Sequence, residues 1–324
     1  MRTNPVVRMG ILDDWEGCAE RWVDWAAVLP DVELTIHRDH LEERDALVER
    51  LSSYDIVMLM RERTPISAEV LDALPRLRLL VTTGMRNRSL DIPAVHARGI
   101  TLCGTRGLQW AAPELTWALI LALSRNITGA DRSMRAGNWE PTPGMDLHGS
   151  TLGLVGLGRL GAQVATVARA FGMSLIAWSP NLTEERAAEH GARLVTKQRL
   201  FAEADVVSVH MALAASTRGL IGADELRAMK STAYLVNTSR GPLVDEQALL
   251  TALHEGWIGG AGLDVYDHEP LPADHPLRHA PRTVLTPHLG YVTAGTFRSF
   301  YSEAAEDVRA FLDGAPIRLI EKAS

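Results

Sequence analysis

Directly after an apolar run, Thr151 to Val155, and directly before a stretch of helical periodicity stands Gly156-Leu157-Gly158-Arg159-Leu160-Gly161. A turn of this pattern, between strand and helix, dictates a β-α-β unit and with it a parallel sheet. Gly156 permits the tight turn, Gly158 lets backbone approach a pyrophosphate, and Gly161 lets the helix pack close on the strand. The free N–H groups at the helix start and its dipole favour phosphate there. The helix is expected to bury Leu160, Val164, Val167, Ala168 and Phe171 and to stop at Gly172. The acidic residue that would hold an adenosine ribose about 20 residues later is missing, because the next strand ends at Trp178-Ser179-Pro180-Asn181. No Arg stands at 179–181 to bind a 2′-phosphate and Arg186 lies further along, so NAD(H) is favoured over NADP(H), with NADP(H) retained as an alternative.

The rest of the chain keeps the same alternation. Strands are expected at Val6–Leu12, Val32–Ile36, Ile56–Met60, Leu77–Val81 and Thr101–Cys103, then, after the glycine turn, at Ser174–Trp178, Val206–His210, Ala233–Val236, Gly260–Val265 and Val284–Leu285. Pro113 opens a long apolar helix from Glu114 to about Ala136, and the Pro- and Gly-rich stretch Asn138–Gly149 reads as a linker. At roughly 100 to 200 residues per domain, 324 residues imply two cores. Lys and Arg number 33 against 40 Asp and Glu, a net charge of −7, which is the wrong sign for a nucleic-acid or anionic-membrane partner. The longest apolar run, Leu115–Leu123, is too short to span a bilayer, and the N-terminus has no signal-peptide core. Two cysteines, Cys18 and Cys103, fit a reducing compartment, so a cytoplasmic location is expected. No metal is expected, since Pro276 denies His275 and His279 a shared helical face.

Three ionisable residues follow the carboxyl ends of expected strands: Arg240, Glu269 and His288. In an open parallel sheet this edge carries the ligand crevice, and the glycine turn lies on it too. The set suits hydride transfer to a 2-oxo acid. An imidazole is the side chain that ordinarily titrates near working pH and can protonate the carbonyl oxygen. A carboxylate beside it favours the imidazolium and fixes its orientation, and a guanidinium forks onto the substrate carboxylate and steadies the developing oxyanion.

These segments resemble the D-isomer-specific 2-hydroxyacid dehydrogenases, in the branch often labelled phosphoglycerate dehydrogenase. The likeness lies in Thr151–Gly161, Leu235–Asp245, Gly262–Pro270 and Thr286–Gly290, and extends over essentially the whole chain. It implies a Rossmann-type doubly wound cofactor domain, 104–290, inserted into a flavodoxin-like α/β substrate domain made of 1–103 and 291–324. That division replaces a boundary at Asn138–Gly149. It further implies an Arg240, Glu269, His288 catalytic set, with cofactor contacts from Gly156, Gly158, Arg159, Leu160, Gly161, Ser179, Thr238, Asp264 and His288. Asp264 would lie near the nicotinamide carboxamide. Substrate contacts would come from Arg61, Arg240 and the turn Thr83-Gly84-Met85, whose N–H groups would cradle the substrate carboxylate. A homodimer using the helix after Pro113 is implied as well.

The substrate expected is a small anionic 2-oxo or 2-hydroxy acid, with 3-phosphoglycerate and 3-phosphohydroxypyruvate as one candidate pair. The resemblance implies that Arg61 contacts a substrate phosphate, with Arg86, Arg88 and Arg106 adding positive charge, whereas Glu62 stands where that branch often has Ser and opposes it. Glyoxylate, hydroxypyruvate or a broader range of 2-oxo acids, with NADPH as an alternative donor, form the second reading. A non-catalytic NAD(H)-sensing protein, like the C-terminal binding protein corepressors that resemble this family, is the reading from another class. Feedback through an appended domain is not expected after Ser324.

Overall fold

The computed structural model describes residues 6–139 and 143–321, so Glu140, Pro141 and Thr142 of the expected linker lie outside the described residues. The chain divides into two compact units, Met1–Leu108 with Thr293–Ser324, and Gln109–Val292. The expected boundaries were 103/104 and 290/291.

In the first unit β1 (Val7–Ile11), β2 (Val32–Ile36), β3 (Ile56–Leu59), β4 (Leu79–Thr82) and β5 (Thr101–Gly104) form one parallel sheet in the order β2-β1-β3-β4-β5. This is the flavodoxin-like order. β3 and β4 are buried along their whole length, as strands covered on both faces must be. The helix Ala294–Leu312 returns from the far end of the chain and packs on this unit: Tyr301 donates to the buried Asp14 Oδ1 at 2.7 Å. After it, the backbone runs antiparallel beside β5, with Gly104 N–H on the Arg318 carbonyl at 3.0 Å and Ile320 N–H on Leu102 at 2.9 Å.

The second unit holds β6 (Thr151–Val155), β7 (Ser174–Trp178), β8 (Arg193–Leu194), β9 (Val206–Val209), β10 (Tyr234–Asn237), β11 (Gly260–Leu263) and β12 (Thr283–Leu285). All pair in parallel, in the order β12-β11-β10-β9-β6-β7-β8. Successive residues serve opposite faces. Val207, Val209 and Leu235 join one apolar cluster, while Val206 and Val236 join the other with Leu152 and Leu154. The doubly wound order reverses between β6 and β9, beside the glycine turn.

Several local expectations are corrected. The single helix from Glu114 to Ala136 is two helices, Ala111–Ser124 and Ile127–Arg135. Asn126 between them is left-handed (φ 49°), a conformation that Asn tolerates better than most residues and that ends a right-handed helix. On the helix Arg159–Ala170 the buried face is Gly161, Val164, Ala165 and Ala168; Leu160 is half-buried, and Val167 and Phe171 are exposed. The short strand β8 has too little apolar character to be read from sequence. Among the described residues no helix is long and apolar enough to cross a membrane, and both cysteines are free.

Arg318 ties the C-terminal segment down: Nε donates to Asp307 Oδ1 at 2.9 Å, Nη1 to Glu306 at 2.9 Å and Nη2 to the Glu303 carbonyl at 2.6 Å. Asp307 is fully buried, its second carboxyl oxygen has no hydrogen-bond partner, and burial pushes its pKa up to about 7. A carboxyl raised in the folded state stabilises fully below its ordinary pKa, and that contribution is lost as pH rises through about 7. Urea unfolding across pH should therefore show Asp307→Asn less sensitive to pH than the parent chain. Relative to its own stability in acid, the variant should lose less than the parent chain as pH rises through about 7. A relative loss of stability there would contradict the assignment.

Candidate functional site

The glycine turn is built as its three glycines require. Gly156 has φ 96°, and a Cβ on it would stand 2.9 Å from the His210 carbonyl group. Its N–H donates to the Trp178 carbonyl at 2.8 Å, which brings the end of β7 beside the turn. A Cβ on Gly161 would overlap the Gly156 carbonyl oxygen, so this helix can begin so close to β6 only with glycine there. Gly158, by contrast, is exposed and a Cβ on it would meet nothing within 4 Å. It is the helix N-cap, and no side chain caps the helix, so Arg159 and Leu160 begin it with an open approach to the backbone. Two glycines that close the turn and one that leaves it open fit a pyrophosphate group.

His210, at the end of β9, lies under this turn and shares a 2.9 Å hydrogen bond with Ser208. Burial pushes its pKa down to about 4, so it adds no positive charge to the phosphate end at neutral pH. Its place was not read from the sequence; only the strand-end position hinted at it. Ser179 is half-buried just past β7, with no carboxylate beside it at Pro180 or Asn181. Lys197 lies 5.9 Å from the Trp178 ring and is paired with Glu225 at 2.8 Å.

Arg240, Glu269 and His288 follow β10, β11 and β12, three neighbouring strands, at their carboxyl ends. Asn237 shapes the Arg240 loop: its Nδ2 donates to the Arg240 carbonyl at 2.9 Å and its Oδ1 accepts from Ser239 N–H at 3.0 Å. Ser239 Oγ in turn donates to the Met211 carbonyl at 2.6 Å, and the Thr238 hydroxyl bonds that of Thr116 at 2.7 Å. The next residue, Gly241, is buried so tightly that a Cβ would overlap the Tyr266 backbone. The loop of Arg240 is thereby pressed onto the loop that carries Glu269.

Glu269 uses both oxygens. Oε1 accepts from Tyr266 N–H at 2.9 Å and Oε2 lies 2.5 Å from His288 Nδ1. The imidazole is partly exposed and edge-on to Tyr291 at 5.5 Å between centroids, and with Nδ1 engaged, Nε2 is the nitrogen left for chemistry. His288 is left-handed, with φ 55° and ψ 51°, an unusual state for a residue with a Cβ. Asp264 accounts for it. Fully buried, Asp264 accepts from Thr286 Oγ1 at 2.6 Å and Leu289 N–H at 2.7 Å through Oδ1, and from Gly290 N–H at 2.9 Å through Oδ2. Burial raises its pKa, against the pull of those bonds. Both oxygens of Asp264 thus hold the His288 turn. Asn237, Gly241, Tyr266 and Thr286 were missed as supports, although the Asn-x-Ser spacing at Asn237 and Ser239 is a turn signal.

The first unit brings together Arg61, Gly84 and Met85. Arg61 N–H donates to Thr83 Oγ1 at 2.7 Å and its guanidinium to the Thr83 carbonyl at 3.3 Å. That guanidinium lies where a Cβ on Gly84 (φ 90°) would be. Gly84 N–H donates to Thr105 Oγ1 at 3.1 Å, and Met85 is exposed beside it. Arg106, largely exposed, pairs with Glu303 at 3.6 Å. Among the described residues no three His, Cys, Asp or Glu side chains are grouped to hold a metal ion.

The chain shows clear likeness to known proteins. The model of the D-isomer specific 2-hydroxyacid dehydrogenase NAD binding domain matches residues 117–290. A glyoxylate reductase of Korarchaeum cryptofilum is 38% identical over 291 residues, 87% of this chain and 87% of its own length. A D-3-phosphoglycerate dehydrogenase of Synechocystis is 38% identical over 84% of this chain, which spans only 49% of that protein. The crystal structure of a phosphoglycerate oxidoreductase from Vibrio cholerae superposes with a TM-score of 0.90 at 35% identity, covering 95% of this chain and 100% of that one. With the glycine turn built for a pyrophosphate in the matched segment, the chain belongs to the D-isomer specific 2-hydroxyacid dehydrogenase family.

Proposed function

We propose that this protein is an NAD-dependent oxidoreductase that interconverts a small D-2-hydroxy acid and its 2-oxo acid, with His288 as the proton donor and acceptor. The observation that carries the reading is the 2.5 Å pair of Glu269 and His288 on the same sheet edge as the glycine turn. When bound, the nicotinamide supplies or takes up the hydride at the substrate carbon. His288 Nε2 gives its proton to the carbonyl oxygen during reduction and recovers it during oxidation. Glu269, on Nδ1, keeps the ring oriented and offsets the charge it carries when protonated. Arg240 binds the substrate carboxylate and stabilises charge developing on the oxygen. Gly156, Gly158 and Gly161 shape the phosphate site that Arg159 and Leu160 continue, with Ser179, Thr238 and Asp264 as further cofactor-side residues.

Arg61, Gly84 and Met85 are proposed as additional substrate contacts, on the ground that strand order in the first sheet also reverses beside them, between β1 and β3. The names of the relatives put forward glyoxylate and 3-phosphoglycerate as substrates to compare. The neutral Ser179-Pro180-Asn181 end of β7 supports NADH as the preferred donor by a modest margin, with NADPH accepted. The two free cysteines support a cytoplasmic location.

The homodimer is proposed on the helix Ile127–Arg135, none of whose residues is buried. Ile127 and Met134, seven residues apart, share one face and are 52% and 53% exposed. A second copy of the chain covering this face would remove both from water. Met134→Glu should convert dimer to monomer in sedimentation analysis, whereas a parent chain already monomeric at micromolar concentration would defeat the idea.

For the chemistry, His288→Ala should leave NADH binding intact and lower kcat by about 10² to 10⁴, the range of a general acid. Stopped-flow NADH oxidation with glyoxylate checks this, and undiminished turnover would remove His288 from its role. NADH oxidation by the parent chain also separates the enzyme from a binding protein that only senses the nucleotide.

A further inference from the structure

The carboxyl end of β3 carries a cation and an anion side by side, and the loop that holds them is fixed from several directions. Arg61 is left-handed (φ 53°), with its N–H on Thr83 Oγ1 and its carbonyl accepting from Asn87 Nδ2 at 2.7 Å. The Glu62 carbonyl accepts from Ser89 Oγ at 3.0 Å. Arg63 turns toward β1, where it donates to the Asp13 carbonyl at 2.6 Å, forks onto Glu16 at 2.5 and 3.0 Å and stacks on Trp15 at 4.0 Å. Thr64 donates to Asp13 Oδ2 at 2.6 Å. The backbone that carries Glu62 is thus held on both sides, which keeps the side chain on the same loop face as Arg61. Its carboxylate stands 3.7 Å from Arg61 Nη2, and the two side chains are 21% and 18% exposed.

The position matters because strand order reverses between β1 and β3, and ligands of open parallel sheets bind outside the carboxyl ends of the strands at such a reversal. A guanidinium there attracts any anion. One with a carboxylate 3.7 Å away attracts it less, and a phosphate dianion brought to Arg61 also approaches Glu62. Like charges placed together exclude a ligand more sharply than a missing contact does.

We propose that Glu62 is a charge filter, a specificity-determining residue that admits 2-oxo acids whose single negative charge is the carboxylate and rejects those with a phosphate or second carboxylate. The inference rests on the reading above that Arg61 and the Gly84-Met85 turn contact substrate, and it selects glyoxylate-like acids over phosphorylated ones.

The test compares kcat/KM for glyoxylate and 3-phosphohydroxypyruvate, at saturating NADH, in the parent chain, Glu62→Gln and Arg61→Ala. The parent chain should prefer glyoxylate. Glu62→Gln should raise the ratio of phosphohydroxypyruvate to glyoxylate by about tenfold or more. Glu62→Ser serves the same purpose should the first variant not fold. If the ratio stays put while Arg61→Ala still raises KM, the filter is wrong and the substrate contact stands. If Arg61→Ala alters KM for neither substrate, the contact itself is wrong and the filter falls with it. A parent chain that prefers phosphohydroxypyruvate likewise overturns the filter.

Discussion

Asp264, without exposed surface, accepts one hydroxyl and two backbone hydrogen bonds from Thr286, Leu289 and Gly290, and so grips the chain on both sides of His288. A left-handed residue with a Cβ costs on the order of 1–3 kcal/mol and persists only where its surroundings over-determine it. Bonds to a carboxylate are the stronger kind, and three of them offset that cost. The consequence is directional: the imidazole is turned so that Nδ1 meets Glu269. That buried carboxylate, together with the Tyr266 N–H that holds Glu269, fixes the geometry of the pair on which the proposed proton transfer depends.

Glycine does comparable work by leaving space. At Gly156 and Gly161 the missing side chain lets a turn and a helix meet the backbone behind them, and at Gly241 it lets the Arg240 loop lie on the Tyr266 backbone. At Gly158 it leaves the front open. One residue type therefore both compacts the sheet edge and exposes the place where a dinucleotide's phosphates are read to bind. The parallel arrangement of each sheet is what brings these loops to one edge, since every strand of a parallel sheet ends on the same side.

The first unit shows how neighbouring arginines are assigned opposite tasks. Arg63 is spent on structure, locked to Glu16, Asp13 and Trp15. Arg61 is aimed at the Gly84 turn, with the Glu62 carboxylate 3.7 Å from it. Composition makes the two residues alike; their backbone surroundings make them different.

Much of this was legible in the chain before folding. Strand-length apolar runs separated by helical patterns specify parallel α/β units, because burial on both faces demands such runs. The strand-glycine-helix signature locates the phosphate end, and the ionisable residues just past strand ends mark the same edge. Boundaries slipped where one residue's conformation overrode a periodic pattern, as Asn126 does in splitting the apolar helix, and the face of the helix Arg159–Ala170 shifted because Ala165 and Gly161 pack closer than Val167 and Phe171 can. Periodicity and residue chemistry are local, and so the sequence by itself determined the architecture and the candidate Arg240, Glu269 and His288. Only the tertiary structure decided that Glu269 meets His288, that Asp264 faces the His288 turn, and that the Glu62 carboxylate lies beside the Arg61 guanidinium, because each depends on how segments distant in the chain, or a left-handed turn of a single residue, aim side chains in space.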